Sequence, residues 1–217
     1  MTPGLRLYAI PYSTNVERVG LALGHKGLTA GVIMCEPSDR SSIREASGQD
    51  LVPALDDDGF VVADSSRIIE HLERRFPDPP LFPSDPARRA ELRVFVEWFD
   101  RVWKGPPNAI EAELGKPNPD HVRIAALEHE LRATLDVFEA MLDGRDYLMS
   151  ESLSAADCAA FPFLKYGLWI WPADEERFHH VLHRNLAFDG DHPRLEAWVR
   201  RVSGHPRVDG IITYDGA

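Results

Sequence analysis

The segment Leu51-Val52-Pro53-Ala54-Leu55, with Asp64-Ser65 nine residues further on, decides how the first third of this chain is read. A proline inside an apolar, strand-like run cannot donate to a sheet ladder. It marks a deliberate local geometry, for which a cis Val52–Pro53 bond is one candidate. It also leaves the backbone of Val52 available to pair with an extended ligand as a further strand would. Asp64 and Ser65 stand at the mouth of a helix and offer a carboxylate, a hydroxyl and helix-start amides. Together these groups suit a short peptide that carries both an amine and a carboxylate.

Outward from that segment, Pro53–Leu55 begins a strand, Asp56-Asp57-Asp58-Gly59 is a hairpin turn, and Phe60–Ala63 is the returning strand. Ser65 then opens a helix with Ile68, Ile69, Leu72 and Phe76 on its buried side, stopped by Pro77. Upstream, Leu5–Ile10 reads as a first strand, and Pro11–Asn15 is turn chemistry. Val16, Val19, Gly20 and Leu23 make the apolar stripe of a helix closing at Gly27, followed by a strand over 31–36. Residues 38–46 are polar and irregular, with a short helix at best. The order βαβ(α)ββα gives a compact mixed unit over residues 1–78.

Five prolines between Pro77 and Pro86 predict a stiff linker, placed at 79–88. Beyond it the period changes. Leu92, Phe95, Val96, Phe99 and Trp103 mark one helix, which breaks at Lys104-Gly105-Pro106-Pro107. Ile124, Leu127, Leu131, Leu135, Phe138 and Leu142 mark a longer one, and 154–171 and 195–202 are also helical in pattern. Residues 89–217 therefore form an all-helical second domain.

At 217 residues and 44% hydrophobic the chain has material for a sizeable core. A net charge of −11 argues against a nucleic-acid partner, which needs a basic footprint. Cys35 and Cys158, far apart in apolar runs, read as buried and inert, and imply no disulfide framework. No apolar run is long enough to span a bilayer, and none near Met1 resembles a leader, so a cytoplasmic protein is expected. His179 and His183 share a helix face, but no third ligand has motif spacing; a solvated histidine cluster and no metal site are expected.

Four pieces in order carry a resemblance. They are Pro11-x-Ser13-x-x-x-x-Arg18-Val19, Leu51-Val52-Pro53-Ala54-Leu55, Asp64-Ser65-x-x-Ile68-Ile69-x-x-Leu72, and Ser154-x-x-Asp157. Pro80-Leu81-Phe82-Pro83-x-Asp85 with Ala87-Arg88 adds a phrase typical of bacterial members. The chain resembles a serine-type cytosolic glutathione transferase over nearly its whole length. The resemblance implies a thioredoxin-like N-terminal domain, a helical C-terminal domain and a homodimer. It implies glutathione as co-substrate, with no metal, and a small hydrophobic electrophile as second substrate.

On that resemblance Ser13 is the catalytic residue, its hydroxyl donating to the glutathione sulfur at the N-terminus of the first helix. A free thiol titrates at about 8.5, and lowering this by about two units takes about 2.7 kcal/mol. One hydrogen bond to a charged group supplies about 1.5–3 kcal/mol, and a helix N-terminus about 0.3–2 kcal/mol. The two suffice without a metal or a general base. By itself, a serine at this place is also explained as a helix cap. Val52, beside Pro53, would exchange backbone hydrogen bonds with the cysteinyl unit. Ser65 would hold the γ-glutamyl carboxylate, and Asp64 the γ-glutamyl amine; alone, the pair reads as a cap. Arg40 or Arg44 is placed to meet the glycyl carboxylate. Tyr12 and Trp103 are candidates for the electrophile pocket, while Tyr8 fits a catalytic tyrosine poorly. Ser154-Ala155-Ala156-Asp157 is a helix-start box whose role is folding.

Conjugation to small apolar electrophiles is the expected activity. A glutathione-dependent isomerase or dehalogenase is an alternative. Ser13-Thr14-Asn15 replaces the Ser-Ser-Cys of the maleylacetoacetate isomerase class, which counts against that activity. A non-catalytic binding or regulatory protein of the same fold is the other alternative.

Overall fold

In the computed structural model, which describes residues 4–214, the chain forms two units, one through Pro83 together with residues 204–214, the other over 84–203. The outer ends of the expected domains 1–78 and 89–217, residues 1–3 and 215–217, lie outside the described residues.

The first unit runs β1 (Leu5–Ala9), α1 (Thr14–His25), β2 (Gly31–Met34), α2 (Ser41–Ser47), β3 (Ala54–Asp57), β4 (Phe60–Ala63) and α3 (Ser65–Arg75). The sheet order is β2-β1-β3-β4, with β2 parallel to β1 and the other pairs antiparallel. This is the thioredoxin-like βαβαββα arrangement. Leu5, Leu7 and Ala9 bury one face of β1, as the period of a strand requires. Helix α2 covers the opposite face: Ile43, Cys35 and Ala54 form a buried cluster with Tyr8, Ile10, Val52, Val61 and Ala63 packed around it. That helix is more regular than residues 38–46 suggest, because one apolar side chain, Ile43, suffices to anchor seven residues.

The hairpin turn is tighter than expected. Strand β3 continues through Asp57, and only Asp58 and Gly59 turn, both at positive φ (51° and 96°), the geometry of a two-residue type I′ loop. The two strand aspartates are buried but partnered. Asp56 pairs with Arg6 and accepts the Gly59 N–H at 2.6 Å; Asp57 bonds His71 at 2.8 Å, with Arg75 at 3.6 Å.

The proline-rich stretch, expected as a stiff linker over 79–88, is anchored to the first unit up to Pro83. Lys26 Nζ, at the end of α1, donates to Glu73 of α3 (2.8 Å) and to the carbonyls of Phe76 (2.7 Å) and Pro79 (2.9 Å). Glu73 in turn accepts the Leu81 N–H at 3.0 Å, and Leu81 and Phe82 are buried. This is why the first unit extends past the expected boundary at 78.

The second unit contains α4 (Pro86–Trp98), which continues through a π-helical turn (Phe99–Trp103), then α5 (Gly105–Leu114), α6 (His121–Met141), α7 (Ala155–Leu164), α8 (Arg177–Leu186) and α9 (Pro193–Ser203). Every residue of α7 is buried, so it is the central helix of an all-helical unit. Its first turn is held by Asp157, fully buried, which accepts from Leu148 N–H, Ser154 N–H, Ser154 Oγ–H and Trp198 Nε1–H at 2.7–3.0 Å. No helix among the described residues is long and apolar enough to cross a membrane.

The end of the chain departs from the expected second domain. After α9, Val208 N–H donates to Gly20 O at 3.0 Å and Arg207 pairs with the buried Glu17 of α1 at 3.1 Å. Residues 204–214 therefore belong with the first unit.

Candidate functional site

Strand register assembles the site. Tyr8 of β1 lies opposite Ala54 of β3, and Ala54 lies opposite Ala63 of β4. Adjacent strands are about 4.8 Å apart. Three connections therefore emerge at one end of the sheet: Ile10–Ser13 after β1, Val52-Pro53 before β3, and Asp64-Ser65 after β4. The residues singled out in three distant stretches of sequence meet there, and two helices, α1 and α3, present their N-termini at the same end.

Ser13 is the N-cap of α1, its Oγ accepting the Val16 N–H at 3.3 Å. The cap uses an acceptor lone pair and leaves the hydroxyl proton for another partner. The cap and the catalytic readings of Ser13 are thus compatible. A buried Arg18, one helical turn further along α1, donates from Nη1 to the Oγ of Ser65 at 2.7 Å. This bond ties the starts of the two helices together. It also engages the Ser65 oxygen as acceptor, so that its O–H remains a donor.

Asp64 caps α3 at φ 79°, accepting the N–H groups of Ser66 (3.0 Å) and Arg67 (3.1 Å) through Oδ1. The Val52–Pro53 bond is cis. Among the described residues, the backbone N–H and C=O of Val52 have no hydrogen-bond partner.

The remaining candidates divide. Tyr12 stands next to Ser13 in the left-handed region, φ 59°, which is unusual for a bulky side chain and costs about 1–3 kcal/mol. Its N–H donates to Ile212 O at 2.8 Å and its ring stacks on Tyr214, centroids 4.2 Å apart. Trp103 is 2% exposed and belongs to the core of the helical unit: it stacks on Phe99 at 4.4 Å and donates Nε1–H to Thr134 at 2.9 Å. Its ring is explained by packing, in contrast to the pocket wall expected from sequence. Arg40 donates to Pro37 O and Arg44 pairs with Asp50 at 2.6 Å, so both candidates for the glycyl carboxylate already have partners. Tyr8 packs against the Cys35–Ile43–Ala54 cluster.

Of the expected solvated histidine cluster, His180 is exposed and His183 half-buried, but His179 is not solvated. His179 is buried, bonds Asp174 at 2.8 Å and stacks on Tyr166 at 4.6 Å; His180 bonds Asp174 O and His183 bonds Tyr166 O. All three are committed to holding α8.

Sequence reasoning missed Arg18 as a link and the tail residues Ile212 and Tyr214. A charged residue between Glu17 and the apolar stripe of α1 carries no local sign of burial. For the tail a signal did exist: Gly20 and Gly24 are one turn apart on α1. A methyl group at Gly24 would lie 2.5 Å from the Pro206 carbonyl carbon and 2.8 Å from Arg207 Cα. Such a small-residue pair on a buried helix face announces close backbone approach.

Comparison with known proteins follows the same division. Residues 7–80 match the model of the glutathione S-transferase N-terminal domain, and residues 122–201 that of the C-terminal domain. Protein LigF of Sphingobium sp. is 35% identical over 249 aligned positions, covering 94% of this chain and 91% of LigF. The crystal structure of the beta-etherase LigF superposes with a TM-score of 0.76 over 95% of this chain and 96% of that one, at 23% identity. FtsZ-localized protein A of Caulobacter vibrioides is 30% identical over 166 residues, 71% of this chain and 73% of the relative. A glutathione S-transferase structure from Rhodospirillum rubrum superposes with a TM-score of 0.72 at 25% identity, covering 97% of this chain and 96% of that one.

Proposed function

The chain belongs to the glutathione S-transferase family, and from that premise we propose that it binds glutathione at the β1–β3–β4 end of the sheet and transfers its sulfur to a small apolar electrophile. The observation that carries this reading is the register that gathers Ser13, Val52-Pro53 and Asp64-Ser65 at one place. In the proposal the cysteinyl backbone pairs with Val52 as an added strand. The γ-glutamyl carboxylate takes the Ser65 hydroxyl and the amides at the start of α3. The carboxylate of Asp64 meets the γ-glutamyl amine.

The thiol gives up its proton to solvent, the Ser13 hydroxyl donates a hydrogen bond to the resulting sulfur anion, and the positive end of α1 adds to the stabilisation of that thiolate. The sulfur then forms a bond to an electrophilic carbon while the leaving group departs with the bonding pair and takes up a proton from solvent. Approximation of the two reactants and thiolate formation supply the rate. The working form is proposed to be a cytoplasmic homodimer.

A calorimetric glutathione titration tests the binding half. Ser13→Ala tests the chemistry: kcat for conjugation should fall about 10- to 100-fold, the worth of a charged hydrogen bond, with glutathione affinity within several-fold. Full activity in Ser13→Ala would remove Ser13 from its role.

Two narrower readings have specific support. The relative aligned over 94% of this chain is LigF, and its solved structure is that of a beta-etherase. Here the leaving group would be the oxygen of a β-ether, with C–S formed and C–O broken. Product analysis with β-ethers, halogenated aromatics and unsaturated diacids separates etherase, dehalogenase and isomerase chemistry. The relative FtsZ-localized protein A supports a binding role instead. A wild-type protein that takes up no glutathione would favour that reading.

A further inference from the structure

Residues 206–214 lie along α1 against its direction and end at the residue before Ser13. Pro206 and Arg207 approach Gly24, and Val208 donates to Gly20 O. Arg207 meets Glu17, and Ile211 fills the space beside Gly20. Ile212 O then accepts the Tyr12 N–H at 2.8 Å, and the Tyr214 ring stacks on Tyr12 with the planes inclined by only 14°. Tyr12 is the left-handed residue, φ 59°. Left-handed φ is disfavoured for a bulky side chain, so these two contacts oppose a relaxation toward negative φ that would turn the Tyr12–Ser13 peptide. The cap of Ser13 on Val16, at 3.3 Å, lies beyond the ordinary range for such bonds and is a weak restraint.

We propose that this C-terminal tail is a positioning element for Ser13: the Ile212 carbonyl and the Tyr214 ring hold Tyr12 left-handed and thereby set the direction of the Ser13 hydroxyl. The proposal rests on the glutathione reading, in which that direction decides whether the hydroxyl reaches the sulfur. Tyr214 touches neither substrate nor sulfur and acts through Tyr12.

The test uses the full chain with Tyr214→Ala and, as the conservative variant that keeps a stacking ring, Tyr214→Phe. Amide hydrogen exchange of residues 12–16 reads the turn without glutathione. Conjugation of glutathione to chlorodinitrobenzene reads the consequence. Tyr214→Ala should speed exchange at 12–16 and lower kcat about ten-fold, with the acid limb of the kcat–pH profile moved upward. The KM for glutathione should stay within about two-fold, since the peptide-holding groups are elsewhere. Tyr214→Phe should match wild type in both measurements. Unchanged exchange in Tyr214→Ala overturns the tail's role whatever the protein binds. So does a Tyr214→Phe variant as impaired as Tyr214→Ala, because the ring would then not be the operative part. Wild-type protein that neither binds nor conjugates glutathione overturns the functional reading, and the exchange result is then read alone. If Tyr214→Ala unfolds, Tyr214→Leu, which fills the volume without a stacking ring, should speed exchange at 12–16, and unchanged exchange there overturns the proposal.

Discussion

Arg18 and Ser65 are joined at 2.7 Å across α1 and α3, and both are buried. A buried guanidinium that donates to the hydroxyl oxygen leaves that hydroxyl's own proton for another acceptor and adds positive charge behind the start of α3. On the proposed reading, this polarises the place where the γ-glutamyl carboxylate sits. Arg18→Met should weaken glutathione binding by about 10- to 100-fold, the equivalent of one charge-assisted hydrogen bond. The same variant should leave unchanged the affinity for a glutathione analogue lacking that carboxylate. Calorimetry with both ligands checks it; equal losses for the two would make Arg18 a general packing residue.

Lys26 and Glu73 form a dry knot that closes the first unit. All three Lys26 protons are used, on Glu73, Phe76 O and Pro79 O. Removing one partner of a buried pair costs about 3–5 kcal/mol, because the other charge stays behind unmatched. Lys26→Met should cost that much in urea denaturation. Lys26→Met with Glu73→Met should cost less than the sum of the two single changes. Additive losses would show that the two charges do not interact.

What the sequence disclosed follows from how local each signal is. Strand β4 and helix α3 were legible because Phe60–Ala63 is bounded by turn residues and Ile68, Ile69 and Leu72 repeat at helical spacing. The meeting of Ser13, Val52 and Ser65 was legible only through a family likeness, since strand register is a long-range property. Helix α5 was obscured by Pro106-Pro107, which reads as a break; at the first turn of a helix a proline's missing N–H costs nothing. The histidines at 179, 180 and 183 look solvated as a string of polar residues. Asp174 and Tyr166, brought against α8, bury and partner His179, while the exposed His180 and half-buried His183 are held through the carbonyls of the same two residues. The tail's return onto α1 was written in two glycines, Gly20 and Gly24, whose meaning depends on what approaches them.

Asp157 should behave as a folding residue and not as a chemical one. Burial pushes its carboxyl above the usual carboxylate range, against the lowering effect of the hydrogen bonds from Leu148, Ser154 and Trp198. Asp157→Ala leaves those donors unmet in a dry site, at about 1–3 kcal/mol each. A loss of at least about 3 kcal/mol is expected in urea denaturation, in the range reserved for broken buried networks. Glutathione affinity of the folded fraction should be unaltered. A stable Asp157→Ala protein that no longer conjugates would contradict this assignment.

The buried His179 makes stability depend on mildly acidic pH. Burial holds its pKa below the ordinary histidine range; the charges of Asp174 and Glu176 raise it and Lys165 lowers it further, and burial prevails. With Asp174 as acceptor, the neutral ring donates its Nδ1–H at 2.8 Å. The unfolded chain takes up the proton first, at about pH 6.5. The stabilisation is therefore fully present above that pH and is lost as pH falls through the lower folded value, by at most about 1.4 kcal/mol per pH unit. His205, also depressed, chiefly by burial and then by His25 and Arg207, adds a loss in the same direction. His179→Gln keeps an N–H toward Asp174 and cannot titrate. Its urea midpoint should start lower than wild type near neutrality and fall less between about pH 7 and 5. Parallel midpoint curves for the two proteins would mean that the His179 ring titrates alike in the folded and unfolded chains, and would remove it as the source of acid sensitivity.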